Sequence, residues 1–181
     1  MLLGIDVSRA NRPVKTGVEW YSYHLIQELK KIIPDNIGVV LYSDEMLGGG
    51  LENLPENWKS EIIKSPVKHP KTKKPWLWTQ LRLSWEMFKN RPDILFVPSH
   101  AIPIIHPKKT VATIHDIGFL RYPEAYNKYA CLYHRFASWF ATQFASKILT
   151  PSGFTKRELM EVYKIPHWKI IVTHLACSVE T

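Results

Sequence analysis

A chain of 181 residues is long enough for one domain with a real core and short for two. Hydrophobic residues make up 45% and charged residues 22%, an ordinary balance for a soluble globular protein, and a net charge of +8 calls for an anionic partner: a phosphate-bearing ligand, a membrane surface or nucleic acid. Two cysteines, Cys131 and Cys177, form no disulfide framework and have no metal-site spacing, and no apolar run approaches the roughly 20 residues of a membrane span. The strand-like opening reaches Asp6 at once, which predicts no signal peptide and a cytoplasmic chain, peripheral at most to the inner face of a membrane.

In chain order the pattern is strand, loop, helix, repeated. Residues 2–5 are a short apolar strand closed by Asp6, and a polar loop follows. Thr16-Gly17-Val18-Glu19 has capping-box spacing and starts a helix with Val18, Tyr21, Leu25, Leu29 and Ile32 on one stripe. Pro34 stops it, and residues 37–42 form the second strand, so the opening is a βαβ unit and predicts a parallel sheet. Residues 61–64 read as a third, short strand. A basic loop over residues 68–74 (KHPKTKK) runs into Trp76, after which Trp78, Leu81, Trp85 and Phe88 fall on one helical face, expected to be packed. Strands follow at 93–97, 110–114, 147–150 and 170–173, and helices at 126–144 and 154–163. The expectation is an α/β, doubly wound parallel sheet of six or seven strands.

One regularity points to a site. The strands end in polar or small residues: Asp6, then Pro98-Ser99-His100, then His115-Asp116, then Pro151-Ser152. In an open parallel sheet, ligands bind outside the carboxyl ends of the strands. Two of these ends lead to helix starts capped by Thr16 and Ser152, where free N–H groups and a partial positive charge suit phosphate. Either His115 and Asp116 only cap their strand, or the whole edge is one ligand-facing rim.

The ordered landmarks resemble the N-terminal domain of glycosyltransferase family 4 enzymes over nearly the whole length. They are GIDVSR, TGVEWYSYHL, LWTQLRL, RPDILFVPSH, TIHDIGFLRYPEAY, LTPSGFTKREL and YKIPHWKIIV. The resemblance implies the Rossmann-like N-terminal half of a GT-B fold, one acceptor-side domain over residues 1–181. The C-terminal domain that holds the nucleotide-sugar is absent, and the fragment alone is expected to be inactive. The implied reaction is retaining transfer from a nucleotide-diphospho-sugar to a carbohydrate or lipid-linked acceptor. No cofactor and no metal are expected, because protein cations and helix dipoles stabilise the leaving diphosphate.

Carried over by position, the resemblance makes His115 the active-site histidine and places Asp116 beside it in the usual dipeptide. Gly17 meets the donor diphosphate, although Thr16-Gly17 stands where most members have a glycine pair. Ser152, Lys156 and His100 line the cleft. Each has a plainer reading as well: Gly17 as tight packing, Ser152 as a cap, Lys156 as solvated surface and His100 as a strand-end residue. Residues 68–74 are either a solvated loop or a contact with an anionic membrane.

Two other function classes fit less well. A dinucleotide-dependent oxidoreductase is disfavoured because Asp6 and Arg9 occupy the first turn and no G-x-G-x-x-G follows the strand. A nucleic-acid-binding module would explain the charge, but the basic residues are scattered and no recognition motif is present, so no nucleic-acid partner is expected.

Overall fold

The computed structural model describes residues 1–64 and 78–176. Its seven strands are β1 (Leu2–Asp6), β2 (Gly38–Ser43), β3 (Trp58–Ile62), β4 (Ile94–Val97), β5 (Thr110–Thr113), β6 (Lys147–Thr150) and β7 (Ile170–Val172). All pair in parallel, in the order β3-β2-β1-β4-β5-β6-β7. The protein is therefore the α/β, Rossmann-like, doubly wound sheet that the alternation of strands and helices predicts. Among the described residues no helix is long and apolar enough to cross a membrane. The basic loop over 68–74, Trp76 and Cys177 lie outside the described residues.

Helix α1 (Gly17–Ile32) covers one face of the sheet and packs Ile26 among Ile5, Val39, Leu41 and Phe96. Helices α2 (Ser84–Lys89), α4 (Lys128–Phe144) and α5 (Gly153–Tyr163) cover the other, around Leu83, Met87, Leu95, Ala112, Ala141 and Ile148. A one-turn helix, α3 (Gly118–Arg121), joins β5 to α4. Each fully buried Leu, Ile, Val or Met side chain in these layers contributes about 1.5–3 kcal/mol through lost apolar exposure.

Three local expectations are corrected. The third strand is Trp58–Ile62, with Trp58 beside Val39 in the ladder, so the apolar pair Ile62-Ile63 closes the strand where 61–64 was expected to lie inside it. The stripe of α1 is rotated: Glu19, Ser22 and Ile26 are its buried centre, and Ile32 is 70% exposed. The first turns of α1 face a polar rim, so polar groups are buried there.

The third correction concerns the aromatic stripe. Trp78 is buried, but Leu81, Trp85 and Phe88 are more than half exposed. The segment Trp78–Leu83 is π-helical, so residues five apart share a face before the α-helical spacing of four resumes. Trp78, Leu83 and Met87 follow that sequence inward, and Ser84 beside them accepts from the Ile104 N–H at 2.9 Å. The Trp78 indole N–H donates to the Ile63 carbonyl at 2.7 Å, which satisfies its buried donor.

Candidate functional site

The chain leaves β1 towards β2 and β3, then returns to β4 on the other side of β1. The order reverses between β1 and β4, and a crevice forms outside the carboxyl ends of strands at such a point. Asp6 closes β1 there, Pro98-Ser99-His100 follow β4, and His115 follows β5.

Asp6 is buried, and its side chain accepts from the Ser8 N–H at 2.9 Å, which turns the loop over the strand end. Burial pushes its carboxyl up against the opposing pull of Ser8 and Arg9. Arg9 reaches across to Glu19 in the first turn of α1, at 3.4 Å. Thr16 and Glu19 close a capping box, in which the Thr16 N–H donates to the Glu19 carboxylate at 3.1 Å and the Thr16 hydroxyl donates to the same group. Burial raises the Glu19 carboxyl, but Thr16 and the Arg9 guanidinium together hold it below its usual value.

Gly17 follows this cap. A β-carbon built on it would meet nothing within 4 Å, so tight packing does not explain a glycine there. Its backbone is open at the positive end of α1.

His115 lies between two helices. Tyr21 of α1 meets its ring edge-on, with centroids 4.7 Å apart, and Thr155 of α5 donates its hydroxyl proton to the His115 carbonyl at 3.2 Å. The Pro98 carbonyl lies 3.3 Å from His115 Nε2. A carbonyl only accepts, so this contact assigns the proton to Nε2, and among the described residues the Nδ1 lone pair has no partner. Burial lowers the pKa of the ring, partly opposed by the Pro98 carbonyl, Asp116 and Glu19. His115 is therefore a mainly neutral imidazole near pH 7, able to accept a hydrogen bond.

The other expected residues divide. His100 Nε2 is 2.7 Å from Nδ1 of His134, a residue of α4. His100 is partly buried. Burial, followed by the charges of His134, Arg9 and His115, pulls its pKa down to about 3. Asp116 is exposed and accepts from the Gly118 N–H at 2.8 Å, which shapes the entry to α3. Ser152 caps α5, its hydroxyl accepting from the Thr155 N–H at 3.1 Å. Lys156 sends its ammonium, at 2.8 Å, to the carbonyl of Ile170, the first residue of β7 and the end of that strand opposite the rim.

The structure thus brings His115 together with the start of α1 and, through Thr155, with the Ser152 cap. It adds Glu19, Tyr21 and His134, none of which was among the expected site residues. Glu19 had been legible only as a cap residue, and His134 is one polar side chain among the aromatics of a long helix. Only the packing of α4 against the rim reveals its partner. Among the described residues no group of three or more His, Cys, Asp or Glu is placed to hold a metal ion.

The family model described as Glycosyltransferase Family 4 matches residues 15–180. The chain is also similar to the O-antigen chain mannosyltransferase B of Escherichia coli, 29% identical over 97 residues. That alignment covers 54% of this chain and 25% of the relative, so the match spans only a quarter of the relative's length.

Proposed function

The chain belongs to glycosyltransferase family 4, and we propose that it supplies the acceptor side of a two-domain GT-B cleft whose other half holds a nucleotide-diphospho-sugar. The observation that carries this reading is the position of His115, held between the starts of α1 and α5 on the strand-end rim, one strand from the switch point. In the reaction an acceptor hydroxyl forms a bond to the anomeric carbon as that carbon's bond to the diphosphate oxygen breaks. The diphosphate leaves with the electron pair and takes up the hydroxyl proton, and the anomeric configuration is retained.

The residues divide this work by chemistry. The neutral His115 ring accepts a hydrogen bond at Nδ1 from a hydroxyl of the transferred sugar or the acceptor. The open backbone at Gly17 and the positive end of α1 face the developing charge on the diphosphate. Glu19 works against an anion at that helix start, and the nearby Arg9 guanidinium offsets it. Ser152, Lys156 and His100 belong to the wall of the cleft in this reading, and Asp116 sets the loop that carries His115. No metal and no cofactor take part.

The named relative makes a nucleoside-diphosphate mannose the first donor to assay. Its acceptor is a carbohydrate, free or lipid-linked. The experiment is transfer by the complete protein, with the anomer of the product read by NMR, beside the same assay on residues 1–181. The expected results are retention for the complete protein and no useful turnover for residues 1–181, which hold only part of the donor site. An inverted product overturns the retaining mechanism, and robust turnover by residues 1–181 overturns the division into two halves.

A further inference from the structure

A second surface, on the outer side of the helices that cover the second face of the sheet, is built in an unusual way. The inner side of α4 buries small residues, Cys131, Ala137, Ser138, Ala141 and Thr142. Its outer side exposes the bulky ones: Tyr129 at 85%, Leu132 at 67%, Phe136 at 42%, Trp139 at 46% and Phe144 at 51%. A helix of a globular protein normally turns its large apolar residues to the core. These rings are also packed on one another. Phe136 stacks on Phe140 at 5.8 Å, and Phe140 in turn lies 4.6 Å from Phe144, which Trp139 meets edge-on at 6.2 Å.

The patch extends across the layer. The His106 ring is 6.0 Å from Phe140, and the exposed Ile104 and Ile105 just before it are anchored by their N–H groups to Ser84. On that side Trp85 and Phe88 stack at 5.8 Å with both rings outward. Residues 104–106 thus bridge the outer side of α4 at Phe140 and the start of α2 at Ser84, and both helices pack on the same side of the sheet.

Among the described residues the charge on these segments is predominantly positive. Residues 78–89, 104–109 and 128–144 carry Arg82, Lys89, Lys108, Lys109, Lys128 and Arg135, and the single carboxylate of Glu86. Glu86 is engaged by the Asn90 side chain at 2.7 Å. A second copy of the chain docked face to face would set cations against cations. An anionic bilayer answers both features: its headgroups meet the lysines and arginines, while Trp, Tyr and Phe enter the boundary zone where amphipathic rings settle.

We propose that the outer face of α2 and α4 is a membrane-docking surface that holds the protein peripherally on an anionic bilayer. This inference stands whether or not the protein transfers sugar. It also assigns the contact to residues other than the basic loop over 68–74.

The test is co-sedimentation of the protein with vesicles of phosphatidylcholine alone and of phosphatidylcholine mixed with phosphatidylglycerol. Binding is expected only with the anionic lipid and is expected to fall as salt rises. The double variant Phe136→Ser/Trp139→Ser, both at exposed positions, is expected to lower the partition constant roughly tenfold or more at an unchanged melting temperature. Lys108→Ser and Lys109→Ser are expected to lower it by roughly fivefold each at low salt. The proposal is overturned if the protein ignores phosphatidylglycerol vesicles at low salt, or if the aromatic double variant binds as the native protein does. It is equally overturned if sedimentation velocity shows a dimer that this variant converts to monomer, because a second copy would then cover the face.

Discussion

Two helix starts meet at the rim, and they are built differently. Helix α1 opens on Thr16-Gly17, carries an acid in its first turn and ties that acid to both Thr16 and Arg9. Helix α5 opens on Ser152-Gly153, has no acid in its first turn and uses the Ser152 hydroxyl as an ordinary cap. At Gly17 a β-carbon would meet only open space, whereas at Gly153 it would lie 3.8 Å from Arg157. Both helices grip His115, α1 through the Tyr21 ring and α5 through the Thr155 hydroxyl. A helix start can thus serve a ligand or only the fold, and the sequence signature of a cap is nearly the same in the two cases.

The largest expected effect is on the residue that both helices hold. In the complete protein, His115→Ala should cut sugar transfer roughly a hundredfold or more, because a contact to the reacting groups is lost. Thermal unfolding of the same preparation should change little, since among the described residues the His115 side chain makes one long hydrogen bond. A large fall in melting temperature with transfer per folded molecule unaltered would make His115 a structural residue and both helix starts mere scaffolding.

The next effect is a pH dependence of stability. The folded pKa of His100, near 3, lies below the ordinary value of 6.5, so the unfolded chain binds the proton more readily. Stability from this residue is fully present above about pH 6.5 and is lost as pH falls towards 3, at up to about 1.4 kcal/mol per pH unit. Urea titrations across that window should show a shallower loss in His100→Gln than in the native protein. Parallel curves for the two proteins would mean that the His100–His134 pair is protonated without cost.

A third prediction separates the helix starts directly. Gly17→Ala fits sterically and should keep or slightly raise stability, yet weaken use of the donor by roughly tenfold if the backbone there faces a diphosphate. Gly153→Ala should leave transfer unchanged. Steady-state kinetics on the two variants read the difference, and equal behaviour would erase the distinction. The smallest effect is at the caps, where Ser152→Ala should cost about 1 kcal/mol in chemical denaturation by unsatisfying the Thr155 N–H.

The legibility of the chain follows the same divide. Val39-Val40-Leu41 and Ile94-Leu95-Phe96-Val97 are continuous apolar runs that only a two-faced, covered sheet accommodates, so the strands and their parallel pairing could be read directly. The Thr16/Glu19 and Ser152 caps were legible because a cap is a local hydrogen-bond pattern. The outward turn of Trp85 and Phe88 was not, because a π-helical stretch before them changes which spacing shares a face.

By itself, then, the sequence determined the fold class, the order of elements and the edge at which His115, Gly17 and Ser152 gather. All of these depend on interactions between near neighbours and on the hydrophobic period of each segment. Only the tertiary structure decided that His134 pairs with His100 across 34 positions of chain, that Glu19 is buried against the rim and that the bulky side of α4 faces outward. Those choices are made by competition between segments distant in sequence for the same surface of the sheet, and no local pattern records which one wins.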